Sequence, residues 1–146
     1  RIMSLKDGLK KMSKSEPSDL SRINMTDEKD LIINKIKKAK TDPLPMPSSI
    51  GELDKRPEAK NLIGIYSSLT GAPLEKSINE FSGKNFSDFK DILSQVVVDK
   101  IIPISIEIKK LLQDKKHLDQ ILLEGVEKAD NIASQKIKKI HEIVGF

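Results

Sequence analysis

From Thr26 to the end of the chain, apolar residues recur every three or four positions and never alternate over a useful length. That is the period of a helix with one buried side, whereas a strand buries every second residue. A helical body is therefore expected, with a segment of a different kind in front of it. Thr26 is a candidate N-cap, with Asp27 and Glu28 where the helix dipole favours anions. Leu31, Ile32, Lys35-Ile36 and Ala39 keep one face of this first helix, and Lys37, Lys38 and Lys40 fall in its last turn. Residues 41–56 hold Pro43, Pro45, Pro47 and Gly51 and are expected to form a connector. A second helix is predicted from Pro57, with Leu62, Ile63, Tyr66 and Leu69 inward and Gly71 ending it.

A short helix is predicted over 73–82, with Leu74, Ile78 and Phe81 inward and Gly83 stopping it. Ser87 is expected to cap the next helix, whose period runs through Phe89, Ile92, Leu93, Val96, Val97, Ile101, Ile104, Ile108 and Leu111. Pro103 lies inside that pattern and should kink or split it. The last helix, or helix pair, spans about 115–144, with Leu118, Ile121, Leu122, Val126, Ala129, Ile132, Ala133, Ile137 and Ile140 on one side. Gly125 is a candidate interruption and Gly145 the terminal cap.

The front of the chain reads differently. Ile2-Met3-Ser4-Leu5 resembles the end of a strand, Asp7-Gly8 is a turn signal, and 10–24 is a polar stretch without apolar period, expected as loop. The chain opens at Arg1 without Met or secretory signal, which reads as a cut within a longer protein. No apolar run approaches the roughly 18 residues of a membrane span. The longest, 101–108, is broken by Pro103 and carries Glu107. With no cysteine, disulfides and thiolate metal sites are excluded.

The charge balance, 26 basic against 22 acidic residues, permits a nucleic-acid partner without demanding one. Aromatics are only 3% of the chain, so stacking of bases on an aromatic platform is not its main binding mode. His117 and His141 are the only histidines, far apart, and read as ordinary helix residues. The acidic residues show no paired-carboxylate signature. Lys136, Lys138 and Lys139 suit either a solvated face or phosphate contact.

One stretch carries chemistry. In Lys11-Met12-Ser13-Lys14-Ser15, two ammonium groups three residues apart are interleaved with two hydroxyls. Lysines act as point charges against phosphate oxygens, while hydroxyls and backbone N–H groups donate to the same oxygens. On residue types alone, such a loop is usually just solvated.

The string K-M-S-K-S is more specific than its residue types. Before it stands Arg1-Ile2-Met3-Ser4-Leu5; after it come Ser15-Glu16-Pro17-Ser18, Ser21-Arg22-Ile23-Asn24 and Lys35-Ile36-Lys37-Lys38-Ala39-Lys40-Thr41-Asp42. Further on are Arg56-Pro57-Glu58-Ala59-Lys60-Asn61-Leu62, Ile65-Tyr66, Leu69-Thr70-Gly71, Glu124-Gly125, Glu127-Lys128-Ala129, Ala133 and Gly145-Phe146. Together these resemble the C-terminal portion of bacterial-type tryptophanyl-tRNA synthetases, which are class I enzymes. Tyrosyl enzymes typically carry a degenerate loop and a different tail.

The resemblance implies a parent that activates tryptophan with ATP and charges tRNA(Trp). It implies a cytoplasmic homodimer with no membrane association, built as a Rossmann-type catalytic domain followed by a helical domain that takes part in anticodon recognition. On that pattern, residues 1–25 are the end of the catalytic domain and 26–146 the helical domain. By position, Lys11 and Lys14 neutralise pyrophosphate oxygens, and Ser13 and Ser15 donate hydrogen bonds there. Met12 and Ile2 lie near the adenine, Ile2 through its backbone. Mg2+ is expected on ATP, with no protein ligand for it identifiable in this chain. The upstream Rossmann strands, the HIGH-like motif and the tryptophan pocket are not in this sequence, so the chain alone is expected to be inactive. Two other readings remain: a stand-alone helical RNA-binding module, and a structural bundle in which the lysine loop is incidental.

Overall fold

The computed structural model describes residues 1–145. A two-stranded antiparallel hairpin comes first, β1 (Met3–Ser4) and β2 (Asp7–Lys11), followed by a single 3-10 turn at Asp19–Ser21. Six α-helices follow: α1 (Lys29–Lys37), α2 (Ile50–Leu53), α3 (Pro57–Thr70), α4 (Leu74–Phe81), α5 (Phe86–Gln113) and α6 (Lys115–Val144). The mainly helical class expected from the period is what is found, with strands only in the hairpin among the described residues. Phe146, the last residue of the tail motif, lies outside the described residues.

The chain forms two compact units, the first Arg1–Ile106 and the second beginning at Glu107. The core of the first gathers Ile32 and Ile36 of α1, Leu62, Ile63 and Tyr66 of α3, Ile78 and Phe81 of α4, and Phe89, Leu93 and Val97 of α5. Three of its rings meet edge to face: Tyr66 lies 4.9 Å from Phe81, and Phe81 4.7 Å from Phe89. Such pairs add about 0.5–1.5 kcal/mol each beyond the area they bury. In the second unit, α6 buries none of its residues. Its apolar stripe from Ile121 to Ile140 is exposed, where the sequence reading had expected an inward side.

Pro57 opens α3 at its first turn and Gly71 closes it in the left-handed conformation, both as the sequence predicts. Gly145 closes α6 in the same way, and Asp114 caps its start through the His117 N–H. The proline-rich connector is ordered by Arg56, which is 8% exposed. Its guanidinium donates to both carboxylate oxygens of Asp42 (2.9 and 2.6 Å) and to the carbonyls of Pro45 and Leu44 (2.7 and 3.2 Å). Desolvation pushes the Asp42 carboxyl up, but the Arg56 hydrogen bonds and charge and the Leu44 N–H carry it below the ordinary aspartate value.

Several local expectations are corrected. α1 starts at Lys29 with Glu28 as its cap, because the Asp27 carboxylate is engaged elsewhere and holds 25–28 off the helix. Leu31 faces outward, 37% exposed. Ser87 sits inside the first turn of α5; Phe89 N–H donates to Asn85 O, which places the cap at Asn85. α5 continues through Pro103 and α6 through Gly125 without a break. The turn of the hairpin is Leu5-Lys6, and Asp7-Gly8 opens β2 instead.

Gly8 is needed for contact, not for turning. A Cβ there would stand 2.5 Å from Pro57 C and 2.6 Å from Glu58 N, backbone atoms of the first turn of α3. Backbone cannot swing aside as a side chain does, so Gly8→Ala should cost about 1–3 kcal/mol or more through overpacking. Gly51→Ala, with nothing within 4 Å of the new methyl, is the matched control. Thermal unfolding of the two variants should show a clear loss for the first and none for the second.

Candidate functional site: a cationic cleft at the end of the hairpin

The hairpin is tied to α3 by the side chain of Asn61. Asn61 of α3 accepts from Met3 N–H and donates to Met3 O, both at 2.9 Å, 58 residues away in sequence. Leu5, 2% exposed, is tied on both sides: its N–H donates to Ser21 O (2.9 Å), and its carbonyl accepts from Lys40 N–H (2.7 Å). Lys11 is therefore the last residue of a paired strand, opposite Met3, where sequence reading had it in the loop. Leu9, Lys10 and Lys11 are all exposed, so the strand gives no alternating signal.

Beyond Lys11 the chain leaves the hairpin. Met12 N–H donates to Ile2 O at 3.2 Å, which brings together the two residues assigned to the adenine side. Ser13 Oγ and Ser15 Oγ share a hydrogen bond of 2.9 Å, and Ser15 N–H reaches Ser13 Oγ at 3.3 Å. A cleft of about 560 Å³ lies here, lined by Ile2, Lys11, Met12, Ser13 and Lys14 on one side and Arg22 to Met25 on the other. Arg1 completes it. Four cationic side chains line the cleft and no carboxylate does. Lys11 and Lys14 have no carboxylate partner among the described residues. Ser15 is exposed beside the cleft and does not line it. Arg22 is paired with Asp19 at 3.1 Å, which leaves Arg1, Lys11 and Lys14 without a carboxylate partner among the described residues. Repulsion among these like charges disfavours the empty cleft and is relieved by a polyanion, so the arrangement suits a polyphosphate.

Sequence reasoning missed what stands behind the cleft. Lys35 is fully buried in α1, and its ammonium contacts Asp27 and Asp19, each at 2.6 Å. Asn24 donates from its amide to both carboxylates (3.1 Å to Asp19, 3.2 Å to Asp27) and from its backbone N–H to Asp27 (2.9 Å). The Lys35 hydrogen bond, with that of Asn24, holds the Asp19 carboxyl below the ordinary aspartate value. Lys90 of α5 reaches the carbonyls at and just past the end of α1, Lys37 O at 3.1 Å and Ala39 O at 2.6 Å, so another helix adds a cation at that helix end. The available sign was a lysine placed on an apolar stripe, where a buried charge demands partners.

Among the described residues no other region gathers comparable cationic side chains. A groove along α6, lined by Ser134, Ile137, Lys138, His141 and Glu142, is one side of a single helix. Among the described residues no three His, Asp or Glu side chains gather as a metal site, and no helix is long and apolar enough to cross a membrane.

The family model of the class I tRNA synthetases for W and Y matches residues 1–101, which include the hairpin, the loop and the cleft. The chain belongs to that family. Its likeness to individual tryptophan–tRNA ligases extends over the whole chain. It is 49% identical over 146 residues to a tryptophan–tRNA ligase of Agrobacterium fabrum, covering 100% of this chain and 41% of the relative. It is 48% identical to that of Rickettsia felis, of which it covers 44%. This chain thus spans about two-fifths of the length of the relatives it matches. Among solved structures, it resembles tryptophanyl-tRNA synthetase from Mycoplasma pneumoniae with a TM-score of 0.72 and 25% identity, covering 100% of this chain and 45% of that one. The Campylobacter jejuni enzyme complexed with ADP and tryptophan matches with a TM-score of 0.76 at 23% identity, over 99% of this chain and 43% of that one. The readings as a stand-alone RNA-binding module or an incidental bundle are not favoured by these matches to tryptophan–tRNA ligases.

Proposed function

We propose that this chain is the C-terminal part of an ATP-dependent tryptophan–tRNA ligase and supplies the loop that grips the polyphosphate of ATP. The observation that carries this reading is the cleft at Lys11–Lys14, with four cations, two hydroxyls in the loop beside it and no carboxylate. The names of the 48–49% identical relatives favour tryptophan over tyrosine. In the reaction a tryptophan carboxylate oxygen attacks the α-phosphorus of ATP, forming the adenylate as the bond to pyrophosphate breaks. Lys11 and Lys14 neutralise the charge that pyrophosphate gains, and Ser13 and Ser15 donate to its oxygens. Ile2, through its backbone, and Met12 lie against the adenine. Magnesium arrives on ATP as part of the substrate. Tryptophan is held by the remainder of the protein, which is homodimeric and works in the cytoplasm on tRNA(Trp).

Functionally, residues 1–25 close the catalytic domain and 26–146 form the helical domain on the anticodon side. This division does not coincide with the two compact units, because the hairpin packs on α3 within the first. The test is ATP–pyrophosphate exchange. The full-length protein should exchange with tryptophan and not with tyrosine, and the 146-residue chain alone should not exchange. Exchange by the isolated chain, or a tyrosine requirement in the full-length protein, would overturn the proposal.

A further inference from the structure

We infer that Asp19 is a positioning residue for the loop, carrying the fixed position of the buried Lys35 through Arg22 to the backbone at Glu16. The inference rests on the ATP-loop reading above and adds how the far end of that loop is held. Asp19 Oδ2 meets Lys35 Nζ at 2.6 Å, and its Oδ1 meets Arg22 Nη2 at 3.1 Å. Arg22 in turn donates from Nη1 to Glu16 O at 2.8 Å and from Nε to Asn24 Oδ1 at 3.3 Å. Glu16 directly follows Ser15. The chain of contacts therefore starts on a side chain with no exposure, seated between Ile32 and Ile36 in the core, and ends one residue past the loop.

Charge counting separates this role from plain stability. Lys35 is already neutralised by Asp27, which is 5% exposed and equally close. Asp19 is the second carboxylate, its side chain 49% exposed on the side of the loop. Removing it leaves the buried lysine paired but takes away Arg22's ion pair, so that only the 3.3 Å hydrogen bond to Asn24 steadies the guanidinium and the exit of the loop is loosened. The near end needs no such device, because Met12 is tied to Ile2 by backbone pairing.

The experiment uses the full-length ligase with Asp19→Ala, Lys14→Ala and the double variant, measuring single-turnover adenylate formation, transfer from preformed adenylate, and the unfolding midpoint. Misplacing a reacting group by about 1 Å costs on the order of 100-fold, so Asp19→Ala should slow adenylate formation by roughly 10- to 100-fold. Transfer should stay within about twofold, because the loop has finished its work by then. In the Lys14→Ala background, Asp19→Ala should add little, since two residues acting through one contact are not additive. Asp19→Asn keeps the volume and an acceptor oxygen and serves as the second variant if alanine disturbs folding.

An Asp19 variant within about threefold of the unmutated rate, with Lys14→Ala impaired, overturns the inference and leaves the loop reading standing. A full, independent loss on top of Lys14→Ala, or equal losses in both half-reactions with a lowered midpoint, also overturns it. If Lys14→Ala is itself without effect, the loop reading and the inference fall together.

Discussion

Lys14→Ala in the full-length ligase should slow formation of tryptophanyl-adenylate by about 100- to 1,000-fold, the roughly 2.7–4 kcal/mol that one preorganised donor to a developing charge contributes. Lys14 lies on the loop, past the last backbone tie at Met12, and has no carboxylate partner among the described residues. Negative charge on pyrophosphate grows only as the bond to the α-phosphorus breaks. A cation that closes on it then stabilises the transition state more than bound ATP, so the loss should appear in the rate and much less in the affinity for ATP. Lys11→Ala should be milder, because Lys11 ends a paired strand and presents its charge from a fixed place. Transfer to tRNA from preformed adenylate should be nearly unaffected by either. Rapid-quench measurement of the two half-reactions decides the matter: adenylate formation within about threefold of normal in Lys14→Ala would return the loop to mere solvation.

Lys35→Met is the substitution expected to damage the fold most. Methionine fills the space, but Asp27, 5% exposed, is left as an uncompensated buried charge beside Asp19. Removing one partner of a buried pair costs about 3–5 kcal/mol. Adding Asp27→Asn should return part of that loss, because an amide in the same place carries no charge to desolvate. Urea unfolding followed by far-ultraviolet circular dichroism measures both. A single variant as stable as the double would mean that water reaches Asp27 and that the network is not sealed.

The long elements were readable from sequence because each needs only its own residues. Pro57 and Gly71 mark α3 by backbone chemistry alone, and the 3.6-residue period runs unbroken through α5 even across Pro103. What could not be read depends on distant partners. Asn61 has no meaning until Met3, 58 residues earlier, lies beside it, and Lys35 reads as one more helix lysine until Asp27 and Asp19 surround it. Gly8 gave a true signal with the wrong cause: glycine is required there because another backbone passes within contact distance. The proposed role of the loop rests on a third kind of signal. K-M-S-K-S is a string whose spacing is specific, and its neighbours matched a family along most of the chain.

The two ties of the loop also set its entropy. Met12 is fastened to Ile2 and the Glu16 carbonyl to Arg22, so only Ser13, Lys14 and Ser15 lie between them. Ordering a residue's backbone costs about 1–2 kcal/mol, and each residue already held before nucleotide arrives is one that nucleotide binding need not immobilise. A three-residue span restricts the search while leaving the Lys14 side chain its own rotamers. The clamps therefore favour fast closure and equally fast reopening, which suits the proposed role, in which the loop releases pyrophosphate on every turnover.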